Sequence, residues 1–528
     1  MRNFQLPGRS NARSTRTMAA TSHPLATLAA VEILRAGGNA FDAAIAASAV
    51  QAVVEPQSTG IGGDCFVLFC KDGVEPVFAL NGSGRSARAA SIAAYQRLAL
   101  TKMPTYGVHS VTLPGAVEAW FRLSADHGRL PMDQVLAPAI RYAEDGYVVQ
   151  DRVAFDWAAA AGLLATDPTS AAIFLPGGHA PKAGDVLRQP ALGRTLRRLA
   201  ADGAAPFYTG DLAATMAAHL QSLGGLQEAA DFAAVQSDYA QPVATDYRGH
   251  CVHQMPPNNQ GVTALMILNL LSGYDLAALP PLSAERLHLE VEAARLAYRD
   301  RNETLADLPR DSATIRAILS PARTDSLRAR IDPARAMTDL PALDLALSDT
   351  VYISVVDEDR NAVSFINSTY HSFGSGITCP ETGVVFQNRG ASFSLDADHP
   401  NALAPAKRPM HTIMPGMVTK DGRAVMPYGV MGGDYQPFGH AHVLTNLLDH
   451  GMDLQEALDC PRVFYQDEQI VAEHGIPAEA IAGLQSRGHR VTLASEPHGG
   501  GQAIWIDWNK GTLTGASDPR KDGLALGY

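Results

Sequence analysis

The sequence changes texture near residue 350, and any fold must accommodate that change. From about 85 to 340, apolar residues recur at helical spacing over 116–124, 132–145, 152–164, 191–201, 211–222, 263–271 and 283–299. Pro256-Pro257 and Pro280-Pro281 punctuate this part. Beyond it Val351, Ile353 and Val355 alternate, residues 357–361 form a polar turn, and 362–366 resume the alternation, which predicts a hairpin. More strands are expected near 383–387, 413–418, 423–430, 470–472, 490–493 and 502–507. The stretch 325–349 holds Pro333 and Pro341 without a firm period and reads as an exposed linker. A helix-rich part thus precedes a strand-rich part, with no internal repeat.

The first helix is expected from Leu25, Leu28, Val31, Ile33 and Leu34, and ends at Gly37-Gly38-Asn39. A second runs from Phe41 to Val54 and stops at Glu55-Pro56. Gly60, Gly62 and Gly63 then lead into a buried strand over 65–69. That glycine cluster lacks the spacing and lysine of a phosphate loop, so it reads as a tight turn. Residues 1–17 contain Arg2, Arg9, Arg13 and Arg16, no acidic residue and no apolar core. They are expected to be a disordered tail rather than an export signal.

Composition excludes several classes. The 42 Lys and Arg against 54 Asp and Glu give a net charge of −12, unfavourable for a nucleic-acid partner. No apolar run of about 18 residues is present, so no membrane span is expected. The five cysteines (65, 70, 251, 379 and 460) are odd in number and scattered, which suits a reducing, cytoplasmic compartment better than a disulfide framework or a zinc site.

Two places could carry chemistry. Asp349-Thr350 lies where the linker meets a strand. A threonine hydroxyl is a weak nucleophile, but at a chain terminus the adjacent α-amine, with a pKa near ~8, can take its proton. Cleavage between 349 and 350 would create that arrangement; position alone does not separate it from an ordinary strand-start threonine. The second place is Met431-Gly432-Gly433-Asp434, between a strand and a helical run over 440–450. Small residues there could aim backbone N–H groups at an oxyanion, or simply make a strand-to-helix turn. His440 and His442 are two apart on that helix and do not share a face, which disfavours metal ligation.

Taken together, the chain resembles the γ-glutamyltranspeptidase family of N-terminal nucleophile hydrolases. The resemblance rests on ordered motifs along nearly the whole length: His23-Pro24-Leu25-Ala26, Gly37-Gly38-Asn39-Ala40-Phe41-Asp42, Val54-Glu55-Pro56 and Gly60-Ile61-Gly62-Gly63. Met255-Pro256-Pro257, Asp300-Arg301, Thr350-Val351-Tyr352, Phe373-Gly374-Ser375-Gly376, Lys407-Arg408-Pro409 and Gly515-Ala516-Ser517-Asp518-Pro519-Arg520 continue it. The resemblance implies a four-layer αββα fold and a precursor that cuts itself before Thr350. The products would be a large fragment, residues 18–349 behind the 1–17 tail, and a small fragment, 350–528. They would stay together as a heterodimer forming one αββα domain, with a dimer of heterodimers as a further possible assembly. It also implies that Thr350 is the nucleophile, Ser368 the hydroxyl that positions it, and Gly432 and Gly433 the oxyanion donors. No cofactor or metal is called for.

The departures from the family pattern bear on substrate. The arginine that holds a glutamyl α-carboxylate in glutathione-using members falls near Ser83, and the aspartate that holds the α-ammonium falls near Ser392. His411-Thr412 replace paired serines, Tyr370 replaces an asparagine, and the segment between Ser394 and Asn401 is shorter than the usual lid loop. Burying an ammonium without its carboxylate costs several kcal/mol, about 3–5. Arg85 and Arg389 remain nearby as guanidinium forks for a carboxylate, although each equally suits a structural ion pair. A small amide bearing a carboxylate and no amine fits best, as in the family's oxamate amidohydrolase branch of purine breakdown. The other readings are a γ-glutamyltransferase or glutathione hydrolase, and a non-catalytic relative that kept only the fold.

Overall fold

The computed structural model describes residues 8–309, 312–343, 345 and 350–528. Among these, two seven-stranded antiparallel sheets stack face to face. In the first the strands run in the order Leu524–Gly527, Met18–Thr21, Val351–Val356, Ala362–Ser368, Asp64–Cys70, Phe78–Gly82 and Asp238–Ala240. In the second the order is Ala12–Ser14, Thr512–Ser517, Gly500–Asp507, Arg423–Met431, Gly416–Lys420, His250–Gln254 and Val243–Tyr247. Both sheets therefore take strands from before and after residue 350.

Side-chain alternation along each strand generates the layers. In Asp64–Cys70, Cys65, Val67 and Phe69 face the helices Pro24–Arg35, Ala40–Val54 and Met132–Asp145. Phe66, Leu68 and Cys70 face the other sheet, meeting Tyr352, Ile366, Met417, Ala424 and Ile504 in a shared core. A second helical layer, Gly261–Leu271, Ala284–Thr304 and Gln436–Leu448, covers the outer face of that sheet over Val252, Val418, Tyr428 and Val430. The result is αββα, as expected. Strands buried on both faces explain why their sequences are apolar at nearly every position. The helix Ala40–Val54 is likewise buried all round. Its start is fixed by a reciprocal cap: the Asn39 side chain accepts from Phe41 N and Asp42 N, while Asp42 accepts from Asn39 N.

Four expectations change. Residues 383–387 are not a strand; Val385 makes an isolated bridge with Thr378, and Gln387 N donates to the Gly62 carbonyl, tying the segment to the glycine turn. The helix expected over 152–164 breaks at Ala160 into Asp151–Ala159 and Ala161–Leu164. The linker is not exposed throughout: Pro321–Arg328 is helical, and Leu327, Ile331, Leu343 and Leu345 are buried. The tail is ordered from residue 8 in part, because Ala12–Ser14 pairs with Leu513–Gly515 and the N–H groups of Arg16 and Thr17 donate to the Tyr528 carbonyl. Residues 1–7 lie outside those described. Among the described residues, no helix is long and apolar enough to cross a membrane.

The Gly515–Arg520 motif contributes a buried ion pair. Asp518 accepts from Arg462 Nη2 at 2.6 Å and from Gly501 N at 3.0 Å, and both charged side chains are fully buried. Removing one partner of such a pair strands the other charge. Asp518→Ala, which leaves Arg462 only the carbonyls of Leu458 and His498, is expected to lower unfolding free energy by about 3–5 kcal/mol. Urea titration checks this; a loss well under 1 kcal/mol (~0.5) would show that the pair does not hold the motif in place.

Candidate active site

Three adjacent strands bring the site together. Thr350 directly precedes Val351–Val356 and is buried, and its Oγ1 donates to Ser368 Oγ at 3.4 Å. Ser368 ends the neighbouring strand, where Val351 pairs with Asn367. On its other side Ser368 pairs with Asp64, the first residue of the next strand. Ser368 Oγ also accepts from Tyr370 N at 2.8 Å, which fixes the chain just past the strand end. Tyr370 has φ +84°, a left-handed conformation that turns its ring back over the site.

Beneath that ring lies Arg389. Its guanidinium carbon is 3.8 Å from the Tyr370 ring centroid, and the side chain is fully buried. Nη1 donates to Thr412 Oγ1 at 2.8 Å, while Nε and Nη2 have no hydrogen-bond partner among the described residues. Burial pushes its pKa down to about 10, opposed by Tyr370, Asp64 and Asp434, so the group stays cationic at neutral pH. Two guanidinium nitrogens open at one buried side chain leave room for a hydrogen-bonding partner, a ligand or an ordered water. Beside Thr412, His411 Nε2 lies 3.0 Å from Asp64 Oδ2. Burial, reinforced by Arg389, pushes His411 down to about 3; the neutral ring therefore donates its Nε2–H to Asp64.

The glycine pair completes the arrangement. Gly432 (φ +121°) and Gly433 (φ +60°) leave the Arg423–Met431 strand in a turn that opens the helix Gln436–Leu448. A Cβ on Gly432 would approach Gly499 Cα to 3.0 Å, so a side chain meets both strain and backbone. A strand-to-helix turn of this kind can present backbone N–H groups to an oxyanion. Gln260 Nε2 donates to both the Thr412 and Gly433 carbonyls, at 2.7 and 3.1 Å, linking this turn to the Arg389 side. Arg301 in turn holds Gln260 Oε1 and Asp434. A cavity of about 400 Å³ opens beside Gly432, walled by Tyr106, Arg152, His371 and Lys521.

Thr350, Ser368, Tyr370, Arg389, His411, Thr412, Gly432 and Gly433 thus form one connected neighbourhood. Arg85 is the correction: it is half-exposed, donates to the Ala406 carbonyl at 3.1 Å and pairs loosely with Asp307 at 3.5 Å. It lines a small hollow with Ser83, Ser86 and Arg88, apart from the Thr350 neighbourhood. Asp349 lies outside the described residues. Ser83 is buried and bonds Asn81 and Asn258, and Ser392 sits in the single 3-10 turn that begins at Arg389. Sequence reasoning missed Asp64 and Gln260. The signals were an ionisable residue opening an otherwise apolar strand, and the polar run Asn258-Asn259-Gln260 before an apolar helix.

One cluster of metal-ligand type occurs elsewhere among the described residues: His288, Glu292 and His489, with ligand atoms within 4.8 Å. Each is already engaged. His288 Nδ1 faces His489 Nε2 at 2.8 Å and its Nε2 meets the Asp332 carbonyl, while Glu292 takes Arg295 and Met337 N. It pins the linker rather than presenting open ligands.

Comparison with known proteins identifies the family. The family model "Gamma-glutamyltranspeptidase" matches residues 26–528. A glutathione hydrolase-like proenzyme of Bacillus subtilis (YwrD) is 38% identical over 97% of this chain and 98% of its own length. The oxamate amidohydrolase proenzyme of Klebsiella pneumoniae is 37% identical over 98% of this chain and 99% of its own. A crystal structure of cephalosporin acylase from Bacillus halodurans superposes with a TM-score of 0.93 at 38% identity, covering 100% of this chain and 99% of that one. The chain belongs to the gamma-glutamyltranspeptidase family, as an amidohydrolase of the N-terminal-nucleophile type.

Proposed function

We propose that the chain cuts itself between Asp349 and Thr350 and then hydrolyses a small amide whose acyl part ends in a carboxylate, oxamate being the best fit. The observation that carries the substrate reading is Arg389: a buried cation with two unpartnered nitrogens, stacked under Tyr370 beside the Thr350–Ser368 pair. The similarity to an oxamate amidohydrolase supports it. Asp64 and Asp434, the carboxylates that act on Arg389, are engaged by His411 and Arg301, so a substrate ammonium would have to compete for them. That argues against an α-amino acyl group and therefore against a γ-glutamyl donor. With all five cysteines as thiols, the compartment we propose is the cytoplasm.

Self-cleavage begins when Thr350 Oγ attacks the Asp349 carbonyl. The peptide shifts from N to O, and water hydrolyses the resulting ester, freeing the Thr350 α-amine. The fragments 1–349 and 350–528 remain one particle because the Val351–Val356 and Ala362–Ser368 strands lie between strands of the first fragment. In turnover the α-amine takes the Oγ proton as Oγ attacks the amide carbon, and the Gly432 and Gly433 N–H groups receive the oxyanion. The amine passes the proton to departing ammonia, and water activated by the same amine releases the diacid. Ser368 orients Oγ throughout. No step needs a metal or cofactor.

Thr350→Ala is expected to migrate as one uncut chain on a denaturing gel, with no amidase activity; a split at 349/350 in that variant would reassign the nucleophile. Arg389→Met is expected to raise KM for oxamate roughly ten- to hundredfold in ammonia-release assays, the range for a charged hydrogen bond. Turnover of glutathione but not oxamate by the unaltered protein would return the reading to a glutathione hydrolase.

A further inference from the structure

Asp64 has no part in the mechanism above, yet it is the most heavily bonded carboxylate near the nucleophile. It is fully buried and sits directly across from Ser368 in the sheet. Oδ1 accepts from Gly84 N at 2.8 Å, Gly115 N at 3.2 Å and Gln387 Nε2 at 2.9 Å, and Oδ2 accepts from His411 Nε2 at 3.0 Å. The donors come from four separate segments, so its position is over-determined. Gly84 reinforces this: a Cβ there would fall 1.5 Å from the Leu113 carbonyl, which leaves its N–H as the only group presented to Asp64.

Two features connect Asp64 to Arg389. The hydrogen-bonded link runs from Asp64 Oδ2 to His411, then along the backbone to Thr412, whose Oγ1 accepts from Arg389 Nη1. The electrostatic link is through space, since Asp64 is one of the two carboxylates that favour the charged guanidinium. Asp64 makes no hydrogen bond to Arg389, having spent both oxygens on other donors. A direct ion pair would occupy the Arg389 fork; a counter-charge held one residue further away keeps the guanidinium charged and leaves Nε and Nη2 open.

We propose that Asp64 is a specificity-determining positioning residue: it fixes the His411–Thr412 segment and balances Arg389 without occupying it, so that the site selects a carboxylate. This rests on the reading of Arg389 as the carboxylate holder. Asp64→Asn is nearly isosteric but turns an N–H toward His411 Nε2–H. The imidazole would have to move its proton to Nδ1, which faces Ile413 N at 3.4 Å, itself a donor. The segment must shift, and Thr412 with it.

The experiment is a double-mutant cycle on the self-cleaved enzyme with Asp64→Asn, Arg389→Met and the pair. It reads KM and kcat for oxamate and for uncharged oxamide by ammonia release, and Kd for oxalate by calorimetry. Asp64→Asn is expected to weaken oxalate and raise KM for oxamate roughly tenfold or more, leave oxamide KM within about twofold, and add nothing in the Arg389→Met background. Losses that add in the double variant, or that fall equally on oxamide, would overturn the proposal, because a merely structural role predicts both. If Arg389→Met alone changes neither oxalate Kd nor oxamate KM, the carboxylate pocket itself is refuted and this inference falls with it. Should Asp64→Asn fail to fold or self-cleave, His411→Leu cuts the same link with Asp64 intact, and its cycle is read in the same way.

Discussion

The rest of the molecule depends on one hairpin being inserted into a sheet it did not begin. Val351–Val356 and Ala362–Ser368 lie between Met18–Thr21 and Asp64–Cys70, with ladder hydrogen bonds on both outer edges. This insertion sets Thr350, Ser368 and Asp64 in a row across neighbouring strands, so the proposed nucleophile, its hydroxyl partner and the carboxylate proposed to position Arg389 share one frame. A one-residue slip of the hairpin against its neighbours would turn every one of its side chains to the opposite face, burying Ser354 and Ser364 among the helices and moving Ser368 off Asp64. Both faces are apolar layers, which makes such a slip costly. The same insertion would leave the particle whole after the proposed backbone cut at 349/350.

Charge is placed in this interior under tight control. Arg462 and Asp518 neutralise each other directly and hold the C-terminal motif against the second sheet. Arg389 is treated differently: its favourable contacts are an aromatic face and a hydroxyl, and its carboxylate neighbours act at a distance. A buried cation left that way destabilises the fold locally, and such local cost is typical of sites that must receive an anion. Gln260 ties this half of the site to the glycine turn through two carbonyls, so the Thr412 segment and the Gly432–Gly433 turn are held to each other.

Much of the secondary structure was legible because its signals are local. Met132–Asp145 and Asp211–Ser222 match the periodicity at both ends, and the 351–368 hairpin is announced by alternation about a polar turn. The strands Val243–Tyr247 and His250–Gln254 were lost inside a part that reads as helical, since strands of five residues carry little pattern. The segment 383–387 has strand composition but serves the Gly62 turn through its backbone, a tertiary demand with no local signature. In the site, motif order marked Thr350, Ser368 and the glycine pair. It ranked Arg85 with Arg389, because sequence distance to a site says nothing about side-chain direction; the backbone after Phe78–Gly82 turns Arg85 toward Asp307.

The sequence by itself determined the chemistry available: a threonine at a linker-to-strand junction, two glycines between a strand and a helix, and Ser392 where the resemblance places an ammonium-binding aspartate. It also determined the family, through many ordered motifs whose spacing survives at the level of residues. Only the tertiary structure decided which guanidinium is buried with two nitrogens open, and that Asp64, 286 positions before Thr350 in sequence, stands two strands away from it. Hydrogen-bond partners between distant strands depend on sheet order and register, and neither is encoded in any one segment; both emerge when apolar faces from the two halves of the chain are buried together.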